Sequence, residues 1–473
     1  MLRPWKLEIQ VDDQSGKAIY LQIADAVIAD IKSGRLKKGT ALPGSRTLAK
    51  ELQVNRNTIV EALQVLLNEE WLVSKERKGT FVAGTLPVFV KTGRHHPAAP
   101  TKDVPATSYH TRFDDGHPDS KIAPVAALAR AYRQIFNRKA RWQMMGYSSE
   151  LGDITFRKAV AQMLNHQRGM QTHENQICIT RGSQMATYLA AHSLLEKGDQ
   201  VMIENPGYKP AWEAFEKAGA KLLPVRIDKD GLVLEDVRHH LSRHKRVKAI
   251  YTTPHRQYPT TVTLSLQRRL ELIRLSNEYG FTIIEDDYDN EFHFGYRPVL
   301  PLSSYVALKH YVYIGTMSKV VAPALRIGYL VSNNQSLIEK TAALRKIIDV
   351  QGDAIMEQAV LQLIQDGTIK RHIKKATSYY KAKRDFTASL LKEHLANKAT
   401  YTIPDGGLAF WIIPQKAVDW QQLGKKLDKK GIKIILPDSY SFKEPVTGLR
   451  LGYASLSEEQ LTEGIKILAG CLP

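Results

Sequence analysis

Four prolines, Pro87, Pro97, Pro100 and Pro105, fall within residues 85–112, TLPVFVKTGRHHPAAPTKDVPATSYHTR, and neither a helical nor a strand period survives through them. This stretch constrains the fold more than any other. It divides the 473 residues into a small domain over 1–84, a linker over 85–112 and a large domain over 113–473. Extended at about 3.1 Å per residue, the linker reaches on the order of 85 Å, enough to let the small domain dock on a neighbouring subunit. Composition argues against other classes. With 43% hydrophobic and 24% charged residues the chain is neither disordered nor collagen-like. Cys178 and Cys471 lie far apart and form no CxxC, which speaks against a zinc site or a disulfide framework and fits a reducing cytosol. Met1–Gln10 lacks an apolar signal core, and no run of about 18 apolar residues occurs. The expectation is a cytoplasmic protein with no membrane partner and no metal.

Charge is the first positive clue. The net formal charge is +19, which points toward nucleic acid or toward a basic, solubilising surface. Its distribution is more informative. Residues 1–84 and 85–112 each contribute +3 and residues 113–473 contribute +13, so the excess is not a basic tail. Residues 32–58, however, hold Lys32, Arg35, Lys37, Lys38, Arg46, Lys50 and Arg56 against a single Glu51.

That cluster sits on a recognisable order of elements. Ile19, Ile23, Val27 and Ile31 recur at helical spacing and predict a helix over 18–33, stopped at Gly34. A second helix starts at Ser45 and runs to about Leu52. Gln53-Val54 turns the chain into a third, capped by Asn55 and running from Arg56 to about Glu70. Two short strands, 71–73 and 80–82, flank a polar turn. Three helices with a tight turn between the last two, then a hairpin, describe a winged helix-turn-helix. In such a domain the start of the recognition helix meets base edges, here Asn55, Arg56, Asn57 and Thr58. Arg46 and Lys50 on the preceding helix would contact phosphate, and Lys75, Arg77 and Lys78 in the wing would follow the backbone or enter the minor groove. The plainer reading is that Asn55-Arg56-Asn57 caps a helix. The segment LPGSRTLAKELQVNRNTIVEALQVLLNEEWLVSKERKGTFVA resembles the DNA-binding domain of the GntR family of regulators.

The large domain alternates apolar strands with helical stretches. Candidate strands are 177–180, 200–204, 249–253, 281–285 and 311–315, the pattern of a doubly wound α/β sheet with ligands at the carboxyl ends of its strands. After the first comes Arg181-Gly182-Ser183-Gln184, a glycine turn into a helix start, which suits an anion but is also a common connection. After the fourth comes Asp286-Asp287-Tyr288-Asp289. Three carboxylates there fit a metal or, alternatively, a single buried Asp holding a protonated pyridine nitrogen. After the fifth comes Thr316-Met317-Ser318-Lys319, then Arg326. Lys319 alone reads as a surface lysine. At the end of a buried strand, beside phosphate ligands and an Asp, it reads as an imine-forming amine. Lysine, acid and anion cup together are what pyridoxal 5′-phosphate requires.

On IEDDYDNEF, IGTMSKVVAPALRIGYLV and GLRLGYASL, residues 113–473 resemble a fold-type I aminotransferase, and the whole chain resembles the MocR subgroup of GntR regulators. The fold implied is α/β multidomain, a winged helix-turn-helix followed by a pyridoxal-phosphate-dependent aminotransferase-like domain. By that resemblance Lys319 is the aldimine lysine, Asp286 the partner of the pyridine nitrogen, Tyr288 the contact to the ring hydroxyl and Tyr208 the stacking aromatic. Gly182, Ser183, Gln184, Thr316, Ser318 and Arg326 match phosphate contacts, and Arg450 the arginine that grips an effector carboxylate. The chain departs from the family pattern at Arg256, where His is usual, at Thr261, where Gly is usual, and at Lys209-Pro210, where an Arg often follows. These differences are expected on the ligand side of the cofactor.

The resemblance implies a bacterial transcriptional regulator, nucleoid-associated when bound to its double-stranded operator. It would form a homodimer and sense pyridoxal phosphate or an amino-acid or amine effector. The alternative is a working aminotransferase with an appended DNA-binding domain. The regulator is preferred because a sequence-reading domain has no role in turnover.

Overall fold

The computed structural model describes residues 7–8, 11–12, 15–76, 78–87, 109–137, 142, 146–295, 299–443 and 445–473. Most of the proline-interrupted stretch, 88–108, therefore lies outside the described residues, as does Arg77. The chain forms two compact units, Met1–Val104 and Pro105–Pro473.

In the first unit, α1 (Ile19–Lys32), α2 (Ser45–Leu52) and α3 (Arg56–Asn68) precede an antiparallel pair, β1 (Leu72–Lys75) and β2 (Gly79–Val82). The apolar stripe of α1 does what its spacing dictates: Ile23, Val27 and Ile31 are buried against Ile59, Ala62 and Leu66 of α3 and Trp71. Each such large apolar side chain contributes about 1.5–3 kcal/mol on burial. Gln53 closes α2 in the left-handed region at φ +53, which makes the turn tight. The Asn55 side chain then accepts the Asn57 N–H at 2.9 Å and starts α3. The first strand runs on to Lys75, so the polar turn is shorter than the sequence suggests.

The second unit opens with β3 (Thr111–Arg112), α4 (Val125–Asn137) and α5 (Ile154–Arg168). A βα series follows: β4 (Ile177–Thr180), α6 (Ser183–Leu194), β5 (Gln200–Asn205), α7 (Lys209–Lys217), β6 (Lys221–Asp228), β7 (Gly231–Leu232), α8 (Leu234–Arg243), β8 (Val247–Thr252), α9 (Leu266–Tyr279), β9 (Thr282–Asp287) and β10 (Tyr311–Thr316). Then come β11 (Gly328–Val331), α10 (Gln335–Asp349), α11 (Ala354–Gln365) and the long α12 (Thr368–Leu395). β12 (Ala399–Tyr401), β13 (Ala409–Pro414), α13 (Trp420–Lys429), β14 (Ile432–Lys433), β15 (Leu449–Gly452) and α14 (Glu458–Cys471) complete it.

Among the described residues the large sheet has eight strands in the order β4-β11-β10-β9-β8-β5-β6-β7. β11 runs antiparallel between β10 and β4, a pairing the alternation pattern did not reveal. Period-two alternation splits the strand residues between two cores. Met202, Ile250, Ile283 and Tyr313 pack toward α5, α8, α9 and α11, while Ile203, Tyr251, Ile284 and Ile314 pack toward α6, α7 and α10. A separate three-stranded sheet, β12-β13-β15, packs with α12, α13 and α14 around Phe410, Leu451 and Leu461. No described helix is long and apolar enough to cross a membrane.

In the loop after β8, Thr261 sits in the left-handed region at φ +65, where a β-branched side chain is strained. Its N–H donates to Gln257 O at 2.7 Å, and the Gln257 N–H donates to Val262 O at 2.8 Å, which fixes the turn. Thr261→Gly is expected to raise unfolding free energy by roughly 0.5–1 kcal/mol, net of the extra chain entropy of glycine, read as a higher denaturant midpoint.

Candidate functional site

β9 and β10 run parallel with Ile314 beside Asp286, and β9 continues two residues beyond the expected strand end because this pairing persists through Asp287. Alternation then sends Asp286 to the face of Tyr251 and Ile284, and Asp287 to the other. Tyr251 pairs in register with Ile284, so Asp286 is its diagonal neighbour, within reach of a phenol. The Tyr251 hydroxyl donates to Asp286 Oδ2 at 2.8 Å. Asp286 Oδ1 is buried and has no partner among the described residues. Burial raises this carboxyl to about 7, against the Tyr251 hydrogen bond and the charge of Lys319.

The three successive acids do not converge on one ligand set. Asp287 accepts from the Tyr313 hydroxyl at 2.7 Å and Asn290 Nδ2 at 3.0 Å, with Arg168 Nε at 3.7 Å. Asp289 pairs with Arg256 Nη1 at 3.2 Å.

Over Asp286 opens a cavity of about 180 Å³. Of the residues expected from the sequence, Ser183, Tyr208, Asp286, Tyr288, Thr316, Ser318, Lys319 and Arg326 line it. Lys319 Nζ lies 4.6 Å from the centroid of the Tyr288 ring, and burial lowers its pKa although Asp289 and Asp115 oppose the shift. The Tyr208 ring meets Tyr258 edge-on at 5.3 Å, and burial pushes its phenol up to about 12. Thr316 Oγ1 accepts the Ser318 N–H at 3.1 Å and donates to Ile327 O at 3.2 Å, while the buried Ser318 Oγ has no partner among the described residues. Ser183 opens α6, whose first N–H groups favour an anion.

Gly182 caps that helix at φ +79. A Cβ there would meet Arg326 Nη2 at 2.9 Å, and a Cβ on Gly328 would meet the Gly182 carbonyl carbon at 2.6 Å. The close approach of these three residues requires both glycines. Gln184 does not line the cavity; its Nε2 donates to Pro210 O at 2.9 Å. Arg450 does not line it either. It is 1% exposed and donates from Nε to Asp115 O and from Nη1 to Pro259 O, both at 2.9 Å, and from Nη2 to the Tyr288 hydroxyl at 3.4 Å.

The orphan acceptor on Asp286, the desolvated Lys319 amine and the orphan hydroxyl of Ser318 beside a helix start and Arg326 fit pyridoxal 5′-phosphate: a ring N–H, an aldehyde and a phosphate.

Several cavity residues went unrecognised in the sequence. Asp115, His117 and Pro118 enter from the segment after β3, Tyr251 and Thr253 from the end of β8, and Tyr258 and Pro323 from loops. The clue available was the run Phe113-Asp114-Asp115-Gly116-His117-Pro118-Asp119, with two acids and a histidine around a glycine. One expectation is corrected: Arg256, Thr261, Lys209 and Pro210 do not line the cavity. Arg256 does not face the cofactor side. Its guanidinium turns to Asp289, its Nη2 donates to Phe292 O at 3.2 Å, and it fills the space that Cβ atoms on Gly406 and Gly407 would occupy. Because Gly406 and Gly407 lack side chains, Arg256 can bury there.

In the first unit, Asn55, Arg56 and Asn57 are exposed at the start of α3, and Thr58 is half-buried. Arg46 and Lys50 are exposed on α2, and Lys75 and Lys78 on the wing, with Lys75 Nζ 5.0 Å from the Phe81 ring centroid. Arg56 Nε donates to Ser45 Oγ at 3.4 Å, tying the two helix starts together. Asn55 is also a cap, so its side-chain oxygen already has a backbone partner.

Residues 111–468 match the family described as aminotransferase class I and II, and residues 19–82 match bacterial regulatory proteins of the gntR family. The chain is 28% identical to the probable rhizopine catabolism regulatory protein MocR of Rhizobium meliloti, covering 97% of this chain and 94% of that protein. It is 27% identical to aromatic-amino-acid aminotransferase 1 of Thermococcus litoralis, over 75% of this chain and 86% of the enzyme. The structure of an archaeal alanine:glyoxylate aminotransferase superposes with a TM-score of 0.72 at 27% identity, covering 76% of this chain and 90% of that one.

Because the Asp286 carboxyl is raised to about 7, the folded chain holds a proton that the unfolded chain releases. The stability this group contributes is fully present below the ordinary aspartate pKa and is lost as pH rises through about 7. Asp286→Asn should flatten that loss: between about pH 5 and 8 the denaturant midpoint of cofactor-free variant should fall less than that of the parent.

Proposed function

The chain belongs to the aminotransferase class I and II family over residues 111–468 and joins it to a gntR-family domain at 19–82, as MocR-type transcriptional regulators do, and we propose that it couples the occupancy of its cavity to the way it holds DNA. It is a DNA-binding regulator with pyridoxal 5′-phosphate as cofactor. When bound, that cofactor supplies an electrophilic aldehyde and an electron-withdrawing ring.

The residues divide the work of holding it. Lys319 provides the amine for the aldehyde. Asp286 Oδ1 accepts the ring N–H, and Tyr251 keeps the carboxylate aimed. Tyr288 contacts the ring hydroxyl and Tyr208 covers a ring face. Ser183, Thr316, Ser318 and Arg326 surround the phosphate, Gly182 lets Arg326 approach, and Gln184 acts indirectly by tying the start of α7 to that of α6. The observation that carries this reading is the buried, unpartnered Asp286 oxygen in the same cavity as a desolvated lysine.

The sensed signal is an amino compound entering beside the cofactor, or the cofactor itself. Asp115 and His117 enter the cavity from the segment after β3. A ligand moves a conformational equilibrium only by its differential affinity for the two states. On DNA, Arg56 and Asn57 read bases while Arg46, Lys50 and the wing lysines hold phosphates. The working form is a homodimer. In support, fold-type I aminotransferase sites and winged helix-turn-helix readers both commonly work in pairs. The protein acts in the cytoplasm and sits on the nucleoid when bound.

The test is a titration of operator binding with and without the cofactor and candidate amines, alongside steady-state transamination assays. Robust multiple turnover with no change in DNA affinity would replace this reading with an enzyme. Lys319→Ala is expected to abolish the imine absorbance and the borohydride-trapped adduct, and with them the response to ligands. Arg56→Ala should weaken specific operator binding by about 1–3 kcal/mol in a gel-shift or anisotropy titration while leaving cofactor uptake intact.

A further inference from the structure

Arg256 is a buried arginine on which three segments converge. It stands in the loop after β8. Its Nη1 donates to Asp289 Oδ1 and to Asp289 O, both at 3.2 Å, and its Nη2 donates to Phe292 O at 3.2 Å, so it grips the loop after β9 at two residues. The third segment leads into β13. The Gly407 N–H donates to Phe292 O at 2.8 Å, and the Phe294 N–H donates to Asp405 O at 2.7 Å. A Cβ on Gly407 would meet Asp289 Oδ2 at 2.7 Å and Arg256 Cδ at 2.8 Å, and one on Gly406 would collide with the guanidinium. The side chains of Arg256 and Asp289 are 6% and 2% exposed.

The pairing leaves part of Asp289 uncommitted. Oδ1 meets the guanidinium, whereas Oδ2 is buried with no partner among the described residues. Charges enclosed in this way are screened little by solvent and act on their neighbours over several ångströms. Asp289 directly follows Tyr288, whose ring centroid lies 4.6 Å from Lys319 Nζ. Burial lowers the pKa of Lys319, and Asp289 heads the charges that oppose burial, ahead of Asp115. The other charged groups around this amine have their own partners. Asp115 pairs with His117 at 3.1 Å, and Asp114 accepts the N–H groups of Gly116 and His117. Asp286 accepts from Tyr251, and Arg450 donates to the carbonyls of Asp115 and Pro259.

Resting on the reading of Lys319 as the cofactor's amine, we infer that Arg256 and Asp289 act as one positioning pair for the nitrogen that Lys319 shares with the cofactor. Arg256 holds the Asp289 carboxylate next to Tyr288 and offsets its charge, so that nitrogen meets a compensated pair and not a bare anion. Neither residue lines the cavity, so both act through charge and through the placement of Tyr288. Loss of the carboxylate leaves the guanidinium uncompensated and disfavours a proton on the nitrogen. Loss of the guanidinium leaves the carboxylate bare and favours one.

The experiment uses the full chain loaded with pyridoxal phosphate and follows the visible absorbance of the bound cofactor against pH. The readout is the midpoint at which the shared nitrogen loses its proton. Asp289→Asn is expected to lower that midpoint by about one pH unit, a tenfold weaker hold on the proton. Arg256→Gln should raise it, and the double variant should return most of the way to the parent. Arg256→Lys, which keeps the charge, should stay nearer the parent than Arg256→Gln. A midpoint in Asp289→Asn equal to the parent's, or a double variant indistinguishable from Asp289→Asn, overturns the inference. Lower denaturant midpoints with an unmoved absorbance midpoint overturn it too, because they describe a pair that only supports the fold. If Asp289→Asn does not fold, Arg256→Gln decides alone, and a midpoint at or below the parent's is then fatal. A borohydride-trapped adduct at Lys319 is scored separately. Without it the cofactor-site reading fails, whereas an adduct with unmoved midpoints fails this inference alone.

Discussion

The hydrogen bond from Tyr251 to Asp286 is the contact on which the cavity depends. A carboxylate this deeply buried is costly unless hydrogen bonds or an opposite charge compensate it. Tyr251 satisfies one oxygen and aims the other into the cavity. That geometry exists because β8 and β9 are parallel with Tyr251 beside Ile284, which puts the phenol one diagonal step from Asp286. A slip of one residue in this register would turn Asp286 toward the Arg168 network and bring Asp287 to the cavity. The neighbouring strand β10 then delivers Thr316, Ser318 and Lys319 from its carboxyl end to the same space.

Around this acid the site balances charge at short range. Lys319 and Asp115 line the same cavity, Asp115 pairs with His117, Arg450 lies over the rings of Tyr258 and Tyr288, and Asp289 pairs with Arg256. The glycines work with these charged groups. Gly182 and Gly328 let the α6 start, β11 and Arg326 crowd together at one end, and Gly406 and Gly407 make room for the buried Arg256. Ordinary side chains at these positions would push the charged groups apart.

The DNA-binding unit depends on simpler physics. An apolar stripe on α1, a hydrophobic face on α3 and Trp71 make its core, and the tight Gln53 turn fixes the two helices that present Arg46, Lys50 and Arg56. Asn55 serves both as cap and as part of the exposed helix start.

Local pattern was enough for much of this. Helix periodicity, capping residues and turn residues fixed α1–α3 to within a residue or two, and strand alternation located β4, β5, β8, β9 and β10, because those signals arise from neighbours in the chain. The lysine, acid and aromatic residues that follow the strands were legible for the same reason. Other features arise from contacts between distant segments and leave no local trace. The antiparallel insertion of β11, the delivery of Asp115 and His117 from the segment after β3, the withdrawal of Arg450 behind two tyrosines and the turning of Arg256 away from the cavity all depend on which segments meet. Sequence by itself determined which chemical groups the chain carries and which elements present them. Tertiary structure alone decided which of those groups share a cavity, since burial and facing direction are properties of packed surfaces and not of residue order.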